Sequence, residues 1–237
     1  MNKRLIFYAV FVSAGAFLTV YALCGLLAAQ LGYRGARAEY TRIRGLYHSA
    51  AAAETEPHYG ETSFGPIIII ANGEKTSPAN GLIEINPDYA GWISVNGTEI
   101  DYPIVRGADN EAYLDTLFSG GRNPSGTVFM DYRCLDGFKG PVCVLYGHNM
   151  RDGSMFAVLK RYLDPEFMES HDAITVTAPD GEILGYRIYD AALTDKWDMA
   201  YSPGSVDDTD RRLLILSTCI SGTDSDSRLL IYSELTN

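Results

Sequence analysis

The chain opens on an uncharged run from Leu5 to Tyr33, apolar through its Leu5 to Ala29 part, and then changes pattern twice. As a helix those roughly 25 apolar residues reach about 37 Å, enough to cross a hydrocarbon core of about 30 Å with some tilt. The apolar region of a cleaved signal peptide is normally only about 7–15 residues, so the length predicts an uncleaved membrane anchor. A lipoprotein signal fits poorly, because Tyr21-Ala22-Leu23 puts bulky residues ahead of Cys24. Residues 31–56 hold Arg, Ala, Glu and Tyr without a proline and predict a juxtamembrane helix or stalk. From Pro57 to Asn80 the chain turns to Gly, Pro, Ser, Asn and Thr around one apolar island, Ile67 to Ile70, and reads as a linker with a docking strand.

From about Leu82 the pattern becomes short apolar runs punctuated by turns. Strands are expected over Gly91–Val95, Ile100–Val105, Gly126–Tyr132, Val142–Tyr146, Ile174–Ala178, Ile183–Ala192, Leu213–Ser217 and Leu229–Glu234. Asn96-Gly97, Asp136-Gly137 and Asp180-Gly181 mark tight turns between them. Helical pieces are expected at Asn110–Phe118 and at Met155–Tyr162 followed by Pro165–Ser170. Many short strands at close spacing predict a mainly β barrel or sandwich rather than βαβ units. The organisation is then an anchor over residues 1–33, a juxtamembrane helix and linker over 34–81, and a folded domain over 82–237.

Charge narrows the partners. The formal net charge of -11 argues against nucleic acid, which calls for a basic stripe, and fits a solvated surface beside a membrane. Lys3 and Arg4 precede the span while Arg34, Arg37, Arg42 and Arg44 follow it, so the positive-inside rule does not choose an orientation.

The candidate chemistry lies at strand ends. Cys219 closes the run Leu213-Leu214-Ile215-Leu216-Ser217-Thr218-Cys219, and Arg228 opens the next, Leu229-Leu230-Ile231-Tyr232. Tyr146-Gly147-His148-Asn149 ends a third strand. Together they offer a thiol nucleophile, a proton shuttle and a cation for an oxyanion. Read singly, each has a plainer role: a buried small hydrophobe, a strand cap and a surface charge. Cys134 and Cys143 flank the Asp136-Gly137 turn and read as free thiols or as a disulfide. No Cys/His spacing points to a metal, and no phosphate loop or other cofactor signature appears.

The segments Tyr146-Gly147-His148-Asn149-Met150-Arg151-Asp152-Gly153-Ser154-Met155-Phe156 and Ile215-Leu216-Ser217-Thr218-Cys219, followed by Arg228, resemble the sortases, and class B in particular. Gly91-Trp92-Ile93, Ile100-Asp101-Tyr102-Pro103-Ile104-Val105 and Asp109-Asn110-Glu111-Ala112-Tyr113-Leu114 match the same class, over roughly residues 86–237. The resemblance implies a closed eight-stranded β-barrel with short helices behind a transmembrane helix, lying outside a Gram-positive cell. It implies a cysteine transpeptidase that cleaves a C-terminal sorting signal on a surface protein, through a thioacyl enzyme. The acyl group then passes to an amine of a cell-wall precursor or a pilin. Cys219 would be the nucleophile, His148 the acid/base and Arg228 the stabilising cation, with Asn110, Leu114, Tyr146 and Ser217 as substrate contacts. The membrane lipid would be met through the N-terminal helix, and no cofactor is implied. The chain departs from the class at Ile215, at Ile220, and in the short Thr194–Arg212 segment where a long helix is usual.

Thiol enzymes of other envelope families fit less well. Papain-like wall hydrolases have the cysteine before the histidine, and L,D-transpeptidases carry an arginine where Ser221 stands. A tethered β-domain acting as an adhesin or scaffold is the non-enzymatic reading.

Overall fold

A computed structural model describes residues 3–55, 59–62, 65–68, 78–195, 211–220 and 227–236. The apolar run and the stalk predicted after it are one helix, α1 (Lys3–Thr55). It is long and apolar enough to cross a membrane, and the described side chains of its first half are exposed.

From Ala36 onward the same helix, expected as a juxtamembrane helix or stalk, also packs on the barrel. Ala36, Tyr40, Ile43 and Tyr47 are spaced three and four apart, so they share one face, and all four are buried. Tyr47 stacks on Trp92 with ring centroids 4.0 Å apart and donates its hydroxyl to Thr177 Oγ1 at 2.9 Å. Tyr40 meets the Tyr102 ring edge-on at 5.3 Å and donates its hydroxyl to the Gly126 carbonyl. Arg37 pairs with Asp152 at 3.6 Å, and Glu39 accepts the Ser119 N–H at 2.9 Å.

A short hairpin of β1 (Tyr59–Thr62) and β2 (Gly65–Ile68) follows and takes in part of the expected isoleucine strand; Ile69 and Ile70 lie outside the described residues. Helix α2 (Pro78–Ile85) occupies the end of the expected linker, with Ala79 and Leu82 buried on one side.

Eight strands then close the barrel: β3 (Tyr89–Val95), β4 (Asp101–Val105), β5 (Val128–Met130), β6 (Val142–Tyr146), β7 (Ala173–Thr177), β8 (Ile183–Asp195), β9 (Leu213–Cys219) and β10 (Ser227–Leu235). Their order around the barrel is β10-β8-β7-β3-β4-β5-β6-β9, with β4–β5 and β6–β9 parallel and the other pairs antiparallel. The closed eight-stranded barrel expected from the sequence is present.

Two expected helices differ. Asn110–Phe118 is a series of turns: the carbonyls of Tyr113, Leu114 and Asp115 are bonded to Thr127 N–H, His148 Nε2 and Asn123 N–H instead of to helical partners four residues on. The second helix begins late, as a 3-10 turn over Ala157–Leu163, since Met155 sits at φ 56, outside the right-handed helical region. Helix α3 (Pro165–Ser170) forms as expected, capped by Asp164, whose carboxylate accepts the Glu166 N–H.

Alternation along the strands gives the barrel two faces. Leu214, Leu216, Leu229 and Ile231 point to the main core, whereas Val142, Val144, Leu213, Ile215 and Leu230 form a separate buried apolar cluster on the other face of β6, β9 and β10.

Candidate active site

Strand register sets the site. Cys219 is the cross-strand partner of Arg228, so thiol and guanidinium leave the same face of neighbouring strands. On the other side of β9, Tyr146 of β6 partners Ser217, and the chain that carries His148 runs on from there to Asn149, whose side chain bonds the Cys219 carbonyl. The thiol is exposed, and His148 and Arg228 are half-buried. Behind them the same face continues as a ladder: Tyr146, Ser217 and Leu230 in one rung, Val144, Ile215 and Tyr232 in the next.

The chain leaving β6 is fastened to the cysteine strand. Gly147 N–H donates to the Ser217 carbonyl at 3.2 Å, Thr218 Oγ1 donates to the Gly147 carbonyl at 2.7 Å, and Asn149 Nδ2 donates to the Cys219 carbonyl at 2.9 Å. Gly147 is required by space: a Cβ there would lie 2.6 Å from the buried Phe156 ring. Phe156 N–H returns to the His148 carbonyl at 2.9 Å, closing the loop that presents the imidazole.

His148 Nε2 lies 2.7 Å from the Leu114 carbonyl. A carbonyl only accepts, so Nε2 carries the hydrogen and Nδ1 is the nitrogen left for proton exchange. The loop bearing Leu114 is held in turn by Thr127 N–H on the Tyr113 carbonyl at 3.1 Å and, through Gly126, by Tyr40 of α1. Burial pushes the Tyr40 hydroxyl up, out of the titrating range, so it remains a donor.

The four expected substrate contacts occupy different situations. Leu114 has an exposed side chain and reaches the site through its carbonyl. Ser217 is buried in the second rung, and its hydroxyl has no hydrogen-bond partner among the described residues. Asn110 and Tyr146 are joined by a residue the sequence reading had passed over. Asp131, fully buried, accepts Asn110 Nδ2 at 3.0 Å, the Tyr146 hydroxyl at 2.9 Å and Arg133 Nη2 at 2.7 Å. Burial alone would raise its pKa, but the bonds from Arg133, Tyr146 and Asn110 outweigh it and hold the carboxyl below its ordinary value. Position alone gave little sign of Asp131, one acidic residue in an acidic chain; the bonds of Asn149 and Thr218 were nearer the surface of the sequence, inside segments already singled out. Residues 196–210 and 221–226, which include most of the short segment before β9, lie outside the described residues.

Among the described residues no group of three or more His, Cys, Asp or Glu side chains is placed to hold a metal ion. The arrangement can do thiol acyl chemistry: an accessible sulfur, an imidazole with one nitrogen committed and one available, and a guanidinium on the neighbouring strand.

The sortase domain family model matches residues 93–236. The chain belongs to the sortase family. Its relatives place it in class B: it is 42% identical to Sortase B of Listeria monocytogenes over 100 residues, which is 42% of this chain and 41% of that protein. That match thus spans about two fifths of the curated relative's length. Among solved structures, sortase B from B. anthracis superposes with a TM-score of 0.66 at 25% identity, covering 87% of this sortase and 99% of that chain. A Streptococcus pyogenes class B sortase, described as involved in pilus biogenesis, superposes with a TM-score of 0.61 at 28% identity, covering 66% of this chain and 97% of that one. The closed eight-stranded barrel matches these class B structures.

Proposed function

We propose that the protein is a membrane-anchored cysteine transpeptidase that joins surface proteins, through a C-terminal sorting signal, to an amine of a cell-wall precursor or a pilin. The observation that carries this reading is the register that puts Cys219 opposite Arg228 while His148 arrives beside them from β6. In the first half-reaction the Cys219 thiolate attacks the scissile carbonyl carbon, and the developing oxyanion is met by the Arg228 guanidinium, which stays charged throughout. As the peptide C–N bond breaks, the His148 imidazolium gives its proton to the departing amine, leaving a thioacyl enzyme. In the second half the acceptor amine attacks the thioester carbonyl, His148 takes a proton from it, and the thiolate leaves.

On this reading residues 1–33 are a single-pass anchor and 82–237 the catalytic domain, placed outside the cell. Residues 34–81 then include the juxtamembrane helix, docked on the barrel. The test incubates the full chain in detergent with a panel of sorting-signal peptides and an amine such as triglycine. A thioacyl adduct on Cys219 by intact mass, with ligated product, is expected. Cys219→Ala abolishes both, and Arg228→Lys lowers the rate about 100-fold or more, as loss of an oxyanion donor does. No adduct with any peptide and an unreactive thiol would leave the scaffold reading standing.

A further inference from the structure

Two buried thiols lie outside this chemistry. Cys134 and Cys143 are 4% and 1% exposed, belong to the same core cluster, and are free thiols in this structure. The turn that carries Cys134 is sewn to β6 on both sides of Cys143. Cys134 Sγ lies 3.8 Å from the Val142 carbonyl, and Asp131 N–H donates to the Val144 carbonyl at 2.9 Å. Val142 is the residue before Cys143, so those attachments set the Cys134 sulfur beside the peptide that leads into Cys143. Arg106 clamps the turn from outside, donating to the carbonyls of Cys134 and Leu135 at 2.9 and 3.1 Å. A fixed turn whose sulfur lies against the peptide leading into a second buried cysteine of the same core cluster is an arrangement from which a cross-link closes with little backbone movement.

We propose that Cys134 and Cys143 form a disulfide in the mature protein, stapling the turn that follows Asp131 to the strand that leads to His148. The proposal rests on the outer-face location argued above, because such bonds persist in oxidising compartments. The oxidant is a disulfide of small-molecule or oxidoreductase class. Cys134 is the entry point, because it sits on a turn that can open while Cys143 lies within β6. The Cys134 thiolate attacks the oxidant's S–S bond, forming a mixed disulfide and expelling one thiolate. The Cys143 thiolate then attacks the Cys134 sulfur and expels the second. The two protons from the cysteines end on the expelled thiolates, and the oxidant is reduced by two electrons. Since both sulfurs are covered, exchange proceeds as the turn opens or as the chain folds.

The consequence falls on the active site. Asp131 holds Tyr146 and Asn110, and Tyr146 stands two residues before His148. A covalent tie three residues from Asp131 keeps that hub seated when the turn would otherwise open.

The test uses the full chain carrying Cys24→Ala and Cys219→Ala, so that only this pair remains, refolded in detergent with glutathione disulfide and then freed of it. Intact mass is expected to fall by about 2 Da, with a non-reducing peptide map joining the two cysteines. Tm is expected to rise by about 5–10 °C, reversed by reductant and absent in the further variant Cys143→Ala. Persistent free thiols, or glutathione held on either cysteine without closure, would overturn the proposal. A second arm acid-quenches and alkylates the protein directly from cells. A pair that closes in the test tube but is reduced in cells overturns the disulfide of the mature protein together with the outer-face location on which it rests. Neither arm depends on peptide transfer, so failure of the transpeptidase reading is seen separately.

Discussion

Gly147 and Asp131 never touch a substrate in the proposed reaction, yet each determines where a group that does touch it stands. In Gly147→Ala the new methyl would meet the Phe156 ring at 2.6 Å, inside a region with no room to yield. Overpacking of this kind costs about 1–3 kcal/mol, so Tm is expected to fall by roughly 3–10 °C. Because the displaced backbone is one bond from His148, peptide transfer should fall further than stability alone explains; an unchanged rate with an unchanged Tm would refute the packing argument. Asp131 makes a prediction in pH. Its carboxyl is depressed in the folded chain, so its stabilisation is present above the unfolded value near pH 4 and is lost as pH falls through the folded value. Wild type should therefore lose stability on acidification below about pH 4, while Asp131→Asn lacks that component and is weaker at neutral pH by about 2–3 kcal/mol. Urea midpoints measured from pH 7 to pH 3 check both. Of these two residues only the glycine was legible beforehand, because it lies in Tyr146-Gly147-His148. The worth of Asp131 comes from Asn110, Arg133 and Tyr146 converging on it, and convergence is a property of the fold.

At the scale of elements, the strands were legible because β-branched runs and Asn-Gly or Asp-Gly turns bound them, and the differences fell where the loop backbone bonds across the fold or leaves the right-handed region. The carbonyls of Tyr113 and Asp115 are taken by Thr127 and Asn123 instead of continuing the helix expected from Asn110, and Met155, in the left-handed region, delays the next. The docked half of α1 was hidden for another reason. Its buried face is built on Tyr40 and Tyr47, residues equally at home in water or at a lipid interface, and nothing in the helix itself names the Trp92 ring as partner. That docking is measurable. Tyr47→Ala removes a stacked ring and the bond to Thr177 and is expected to cost about 3 kcal/mol. Tyr40→Phe keeps the ring but leaves the Gly126 carbonyl without its donor, for about 1 kcal/mol. The second variant is the more telling for function, since Gly126 lies in the loop whose Leu114 carbonyl holds His148. A rate loss in Tyr40→Phe larger than its stability loss would show the helix acting on the imidazole. Equal losses would confine α1 to support.

For the whole molecule, the unbroken run of α1 from Lys3 to Thr55 means that the barrel does not hang from a flexible tether. Tyr40, which fastens the loop behind His148, is only about 16 Å along the helix axis from Ala29, where the apolar run ends. If the first segment spans a bilayer, the catalytic face is held at a set height above it. Flanking arginines and lysines on both sides leave the side undecided, so the membrane arrangement needs its own measurement. An apolar helix of this length should keep the full chain in the membrane fraction through both high-salt and alkaline carbonate washes, because neither weakens burial of hydrocarbon in lipid. Removing residues 1–31 should release the protein while leaving its Tm unchanged, since the docked face begins beyond that point and Gly32 keeps its carbonyl for Asn123 Nδ2 at 2.9 Å. Orientation is read in intact cells with a membrane-impermeant maleimide: Cys219 is exposed and should be labelled from outside, and Cys219→Ala should remove that label. Release by salt would make α1 a peripheral element. Labelling only after lysis would put the thiol on the inner side, away from any cell-wall or pilin amine, and the proposed reaction would lose its acceptor.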